Sequence, residues 1–186
     1  MKTAAPTNLY CFLERLGAPP GILADIGGSL IPLIDHLQRQ GWILHTVTQD
    51  QNIIRNAARL GVRTALRAPV TRLPLLGKHY DGVVLCLPDL SEAEQAMEEV
   101  ARIARPGATV IVSVASCDRF EGLVCAVAAS GMDRAKLYTE TGEPLSSVPV
   151  PGGQLMAVTG AGRTVEVPGE NGVAVTLPGS MQACAA

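Results

Sequence analysis

No two cysteines of this chain stand as a C-x-x-C pair. The five present, Cys11, Cys86, Cys117, Cys125 and Cys184, are odd in number and irregularly spaced, which argues against both a disulfide framework and a structural zinc site. Cys86 falls in an apolar stretch that reads as strand and Cys125 in one that reads as helix, where a small buried hydrophobe is the simplest role. A reducing compartment fits this usage. Charge is also scarce, at 17% against 47% hydrophobic residues, which excludes a disordered chain. Lysine and arginine are dispersed and the net charge is −2, so no electrostatic footprint for nucleic acid is expected. No apolar run approaches the roughly 20 residues that span a bilayer. Residues 1–7 hold one lysine and no apolar h-region, unlike a signal peptide. The expectation is a cytoplasmic protein without membrane attachment. His36, His45 and His79 form no i, i+4 pair, so metal ligation has no support. Neither a Ser–His–Asp grouping nor a G-x-S-x-G elbow is present.

What is present is an alternation of short apolar strands and amphipathic helices. Asn8 to Leu16 reads as a capped helix stopped by Gly17, and Pro19-Pro20-Gly21 separates it from a strand at Ile22 to Ile26. Leu30, Ile31, Leu33, Ile34 and Leu37 repeat at helical spacing up to Gly41. Trp42 to Val47 is the second strand. Asp50 caps a helix that Gly61 ends, and Val62 to Leu66 is the third strand. Val83 to Leu87 is a continuous apolar run, as in a strand buried on both faces. Ser91 and Glu94 form a capping box for a helix that Arg105-Pro106-Gly107 terminates. Val110 to Val114 follows, then a helix over about 119–130.

The last third turns to short strands, at Leu137 to Thr139, Gln154 to Thr159, Thr164 to Val167 and Val173 to Leu177. This order predicts an α/β fold, a Rossmann-like three-layer sandwich with a mostly parallel sheet. One domain is expected over 1–186. Within it, 1–21 form an N-terminal helix and linker, 22–159 the core, and 160–186 a C-terminal strand extension. Apolar strands at a chain end need cover, so a symmetric homodimer contact through that tail is expected.

Three patterns carry a family resemblance. Leu73-Pro74-Leu75-Leu76-Gly77-Lys78-His79-Tyr80-Asp81-Gly82-Val83-Val84 is similar to a leucine-proline loop leading to an aromatic-Asp pair that opens a fourth strand. Ala101 to Ser113 looks like a helix, a Pro-Gly turn and a fifth strand. Asp25-Ile26-Gly27 matches the start of a cofactor loop. Together they resemble the class I S-adenosylmethionine-dependent methyltransferases. The resemblance implies a seven-stranded sheet with an antiparallel C-terminal strand pair, and S-adenosylmethionine as cofactor. It also implies a cofactor site made by Asp25, Gly27, Gly28, Ser29, Asp50, Ala68 and Leu87. These positions lie at the carboxyl ends of strands, where ligands of open α/β sheets bind.

The departures from the family pattern fall on that same site. Ser29 and Ile31 stand where the family has small residues, usually glycine, and a β-branched Ile31 is expected to crowd the methionine end. The family's ribose-binding carboxylate falls near Thr48, Gln49 or Asp50, and Asp50 is equally a plain helix N-cap. Where the family has an acidic residue beside adenine, this chain reads Arg67-Ala68. Asp89, after the fourth strand, is the one candidate base toward an oxygen or nitrogen acceptor, and it also reads as an ordinary loop residue. Pro144 to Gly153 is the only candidate lid.

Two functions are therefore compatible with the sequence. One is a divergent S-adenosylmethionine-dependent methyltransferase acting on a small molecule. The other is a non-catalytic methyltransferase-like domain that binds a protein partner or assembles as an oligomer. A nicotinamide-binding Rossmann domain requires G-x-G-x-x-G, which Ser29 and Pro32 break. A receiver domain would put its phosphoaccepting aspartate near Cys86. Both fail.

Overall fold

The apolar runs become adjacent strands because each can bury both faces only between neighbours. The computed structural model describes residues 20–88, 91–114, 126–127, 130, 133–139 and 155–160. The expected N-terminal helix, Asp89, the 144–153 loop, the tail from Arg163 and all cysteines except Cys86 lie outside the described residues. So does the helix expected over 119–130, apart from Ala126, Val127 and Ser130.

The strands are β1 (Ile22–Ile26), β2 (Ile43–Thr48), β3 (Thr64–Arg67), β4 (Tyr80–Leu87), β5 (Ala104–Val114), β6 (Asp133–Thr139) and β7 (Leu155–Gly160). They form one sheet in the order β3-β2-β1-β4-β5-β7-β6. The first five are parallel neighbours. β7 runs antiparallel to both β5 and β6. The chain order reverses direction between β1 and β4, which makes the carboxyl end of β1 the switch point of the sheet.

Helices cover both faces. On one side α3 (Ala93–Ile103) buries Ala96, Met97, Val100 and Ile103 against Ala24, Ile26, Val83, Leu85 and Val110. On the other, α1 (Ile34–Arg39) and α2 (Gln51–Arg59) pack Ile34, Leu37 and Ala57 with Leu23, Leu44, Val84 and Ile111. Alternate residues of β1 and β4 thus serve opposite layers, as a pleated strand requires. Each fully buried Leu or Ile contributes about 1.5–3 kcal/mol. Both α1 and α2 stop as expected, at Gly41 and Gly61. Trp42 N–H bonds back to Leu37 O and Val62 N–H to Ala57 O, which is the Schellman closure. Val62 is consequently part of the end of α2, and β3 starts two residues later than its apolar pattern suggests.

Three further boundaries depart from expectation. Pro32 fixes φ and lacks an N–H, so the first turn tightens into a 3-10 segment, Ile31–Leu33, before α1 begins. The Ser91–Glu94 capping box does not form. α3 starts at Ala93 with Glu92 as N-cap and no side-chain cap bond, because burial of Ala93, Ala96 and Met97 sets the helix start. The Arg105-Pro106-Gly107 turn is not a helix terminus but a bulge inside β5. Tyr80 pairs with Ala104 and Gly82 with Thr109, so Arg105 to Ala108 stand opposite Asp81 alone. The residue before a proline is pushed out of the helical region, and α3 has already ended at Ile103.

The leucine-proline loop is tied to α3 by side chains. Glu99 accepts from Leu73 N–H at 2.6 Å, and Arg102 donates to the carbonyls of Leu73 and Leu75 at 2.9 Å each. Arg102 also donates to Glu99 at 2.7 Å. Asp81, the acidic half of the aromatic-Asp pair, accepts from Ile22 N–H at 2.7 Å and forms an ion pair with Arg105.

Candidate active site at the switch point

The site starts from a carboxylate placed in an apolar strand. Asp25 is fully buried, and a buried carboxylate needs donors. The register supplies one, because Asp25 and Thr46 are direct partners across β1 and β2. Thr46 Oγ1 donates to Asp25 Oδ2 at 3.4 Å. The turn after β1 supplies the others: Leu30 N–H donates to Oδ2 and Ser29 Oγ–H to Oδ1, both at 3.2 Å. Desolvation nevertheless dominates. It raises the Asp25 carboxyl from its ordinary 3.8 to about 6, while the hydrogen bonds from Leu30, Ser29 and Thr46 pull it part of the way back.

Asp25 therefore acts inward, holding the turn. Gly27 and Gly28 have φ of 111° and 81°, a region that side-chain-bearing residues rarely adopt. Both glycines also sit against protein. A Cβ on Gly27 would lie 2.9 Å from the Cys86 carbonyl oxygen, and one on Gly28 would overlap Ile53 Cγ2. Gly27 N–H donates to Val47 O at 2.8 Å, which extends the sheet ladder into the turn. Ile31 does not reach the open end. It is 2% exposed and packs with Leu30, Ile34 and Leu37 in the core beneath α1, which corrects the expectation that it crowds the methionine end.

Around the turn, the ends of the neighbouring strands bring the remaining candidates. Thr48 ends β2, nearly buried, and its hydroxyl accepts from Asp50 N–H at 3.2 Å. Asp50 is exposed and caps α2 through Asn52 N–H at 2.7 Å. Ala68 follows β3, partly buried against the core, and Leu87 ends β4 at 3% exposure. Cys86, next to Leu87, has its Cβ close to Gly27. Burial pushes its thiol up to about 12, the Ser29 hydroxyl opposes this, and the Asp25 charge adds to it. It stays protonated near neutral pH and is not a nucleophile. Among the described residues, no group of three His, Cys, Asp or Glu could hold a metal, and no helix is long and apolar enough to cross a membrane.

Thr46, Ile53 and Cys86 escaped the sequence reading. The signal for Thr46 was available, since an aspartate inside an apolar strand demands a donor from the strand beside it. Ile53 and Cys86 carried no such signal, because each is an ordinary hydrophobe in an amphipathic or apolar pattern.

The cofactor implied by the family finds a mixed reception. Its place at the switch point is intact. Among the described residues, however, no buried side-chain polar atom is left without a partner. In the turn, the N–H groups of Gly27 and Leu30 are taken by Val47 and Asp25. Asp50, Ser29 and Thr48 fit a ribose or amino-acid group by chemistry, whereas the turn amides of Gly27, Ser29 and Leu30 are already engaged within the protein.

Comparison with known proteins gives a likeness over the parallel core. Residues 24–112 match the family model described as "Methyltransferase domain". The match spans just under half of the chain, which over its parallel core is thus similar to the S-adenosylmethionine-dependent methyltransferases. Among solved structures, the geranyl diphosphate C-methyltransferase of Streptomyces coelicolor A3(2) has a TM-score of 0.66 at 11% identity. That structure contains Mg2+, geranyl-S-thiolodiphosphate and S-adenosyl-L-homocysteine, and the match covers 83% of this chain and 75% of that one. The complex of the Haloferax volcanii Trm112 methyltransferase activator with a protein described as a methyltransferase matches with a TM-score of 0.64 at 16% identity, over 84% and 89%. The cyclase SpnF matches with a TM-score of 0.60 at 20% identity over 72% of this chain, which spans 59% of the cyclase's length. No curated protein sequence matches the chain. At these identities the structures establish the shared fold and leave the chemistry to the site.

Proposed function

We propose that the chain is a divergent S-adenosylmethionine-dependent methyltransferase acting on a small molecule, with the cofactor held chiefly from its adenosine side. The observation that carries this is the convergence of Ser29, Asp50, Ala68 and Leu87 at the carboxyl ends of β1, β2, β3 and β4, astride the switch point. Retreat of Ile31 into the core removes the main steric objection. In this reading Asp50 has two tasks, capping α2 with one oxygen and meeting the ribose hydroxyls with the other. Ser29 lies beside the amino-acid end. Leu87 lines the pocket, and Asp89 is the candidate base. The bound cofactor supplies the methyl group. The chain supplies position, which is most of what an in-line transfer needs. A small-molecule acceptor is supported by the ligand in the geranyl diphosphate C-methyltransferase structure.

The test is calorimetry and thermal shift with S-adenosylmethionine and S-adenosylhomocysteine. Binding is expected, and Asp50→Asn should weaken it about tenfold with little change in stability, since asparagine caps a helix as well as aspartate. A second reading is favoured by one observation, the turn whose donors Gly27 and Leu30 are already satisfied internally. It makes the domain non-catalytic and partner-binding, as the activator complex among its structural relatives suggests. No interaction at millimolar cofactor would sink the enzyme reading. Cytoplasmic location and a homodimer through the tail belong to the proposal too. Sedimentation of the full chain against one ending at residue 162 is expected to show a dimer in the first alone.

A further inference from the structure

The net charge of −2 conceals an uneven distribution. Residues 51–80 contain Arg55, Arg59, Arg63, Arg67, Arg72 and Lys78, six of the chain's 15 lysines and arginines, and no aspartate or glutamate. Arg55, Arg59, Arg63 and Arg67 are all exposed. None has an ion pair or hydrogen bond among the described residues. The dispersal of cations read from composition is thus broken along one edge of the sheet, where α2 leads into the edge strand β3.

Two of these arginines stand together on a helix face without a charged partner among the described residues. Arg63 and Arg67 flank and end an edge strand, where charged side chains discourage pairing with another chain. Arg55 and Arg59 lie on the solvent face of α2, Arg59 in its last turn. They stand one turn apart on α2, a spacing at which like charges repel and destabilise a helix. Asn52 and Asn56 repeat the same spacing beside them. These four side chains, with Ile53, line an open cleft of about 450 Å³. Ile53 also packs over Gly28, so the cleft opens next to the switch-point turn.

We infer that the Asn52–Arg55–Asn56–Arg59 face of α2 is a binding site for a phosphate ester, independent of whether the cofactor binds. Two guanidinium forks and the NH2 groups of two carboxamides present donors, with no carboxylate among them. A phosphate group brings up to two negative charges and several acceptor oxygens in a tetrahedral array, which answers both arginines at once. A single carboxylate offers one charge and two oxygens. The ligand is a phosphorylated small molecule seated in the cleft, whose lining does not extend to Arg63 and Arg67.

The test uses the full chain with three probes: inorganic pyrophosphate, a mixed-sequence RNA of roughly 20 nucleotides, and polyglutamate, each at about 50 and about 200 mM salt. Phosphate-bearing probes should bind, and Arg55→Gln/Arg59→Gln should weaken them at least about tenfold while the melting temperature stays unchanged, as befits exposed positions. RNA that binds more tightly than pyrophosphate, with a log–log salt slope reduced by about 1.4 in Arg63→Gln/Arg67→Gln, would make the ligand a nucleic-acid backbone and overturn the inference. RNA no tighter than pyrophosphate identifies the small phosphorylated molecule. Binding of neither phosphate probe at the lower salt overturns the inference. So does binding that survives the Arg55/Arg59 substitution, or polyglutamate binding as tightly as either phosphate probe.

Discussion

Asp25 shows how much one side chain can organise. Its folded-state carboxyl sits at about 6 against an ordinary 3.8, so the folded state holds the proton more tightly than the unfolded one. The corresponding stability is complete below pH 3.8 and lost as pH rises through about 6. At about 1.4 kcal/mol per unit, the loss amounts to about 3 kcal/mol. Asp25→Asn keeps an acceptor for Leu30 and Thr46 and can donate to the Ser29 hydroxyl. Urea unfolding of both proteins at acidic and mildly alkaline pH should show the wild type losing about 3 kcal/mol relative to the variant; a constant difference would refute the assignment. Gly28 is the other sensitive residue. Gly28→Ala must place a Cβ against Ile53 at a φ of 81°, and should cost about 1–3 kcal/mol. Adding Ile53→Ala relieves the overlap but not the backbone strain, so recovery in the double variant should be partial.

At the scale of elements, the contact between α3 and the leucine-proline loop is the most specific. Arg102→Ala removes the donor to two backbone carbonyls and to Glu99, and should cost about 1–2 kcal/mol in a partly exposed setting. The Leu73 amide, held by Glu99, should exchange faster with deuterium in that variant; unchanged protection would mean that packing alone fixes the loop. None of this was legible in advance, because side-chain bonds to backbone leave no periodic trace. Legible elements were those whose burial repeats, such as β1, β4 and the buried face of α3. Boundaries set by single residues were read less well. Pro32 tightened a turn, Val62 closed a helix, and Pro106 became a bulge.

At the scale of the whole molecule, the parallel α/β core could be read because continuous apolar runs alternate with amphipathic helices. The candidate site could be read only in outline. Gly27, Gly28, Asp50 and Leu87 were reached through the family resemblance, and they stand at or just beyond strand ends. What each side chain does depended on register between strands distant in sequence, as with Asp25 and Thr46. The direction taken by Ile31 was likewise a matter of packing beneath α1 and not of spacing.

The bulge in β5 has a bearing on how this chain tolerates change over generations. Four residues from Arg105 to Ala108 stand opposite Asp81, at the amino end of β4 and far along the strand from the switch point. A loop of this kind is a store of slack. It can lengthen or shorten while Gly82 still meets Thr109 and every later pair keeps its partner. One glycine added after Pro106 should change unfolding free energy by no more than about 0.5 kcal/mol, since loop closure depends weakly on length. The same insertion between Thr46 and Thr48 would invert the inside and outside of the strand end and misdirect Thr48. Lineages of this protein should accordingly record insertions and deletions at the first position and almost never at the second.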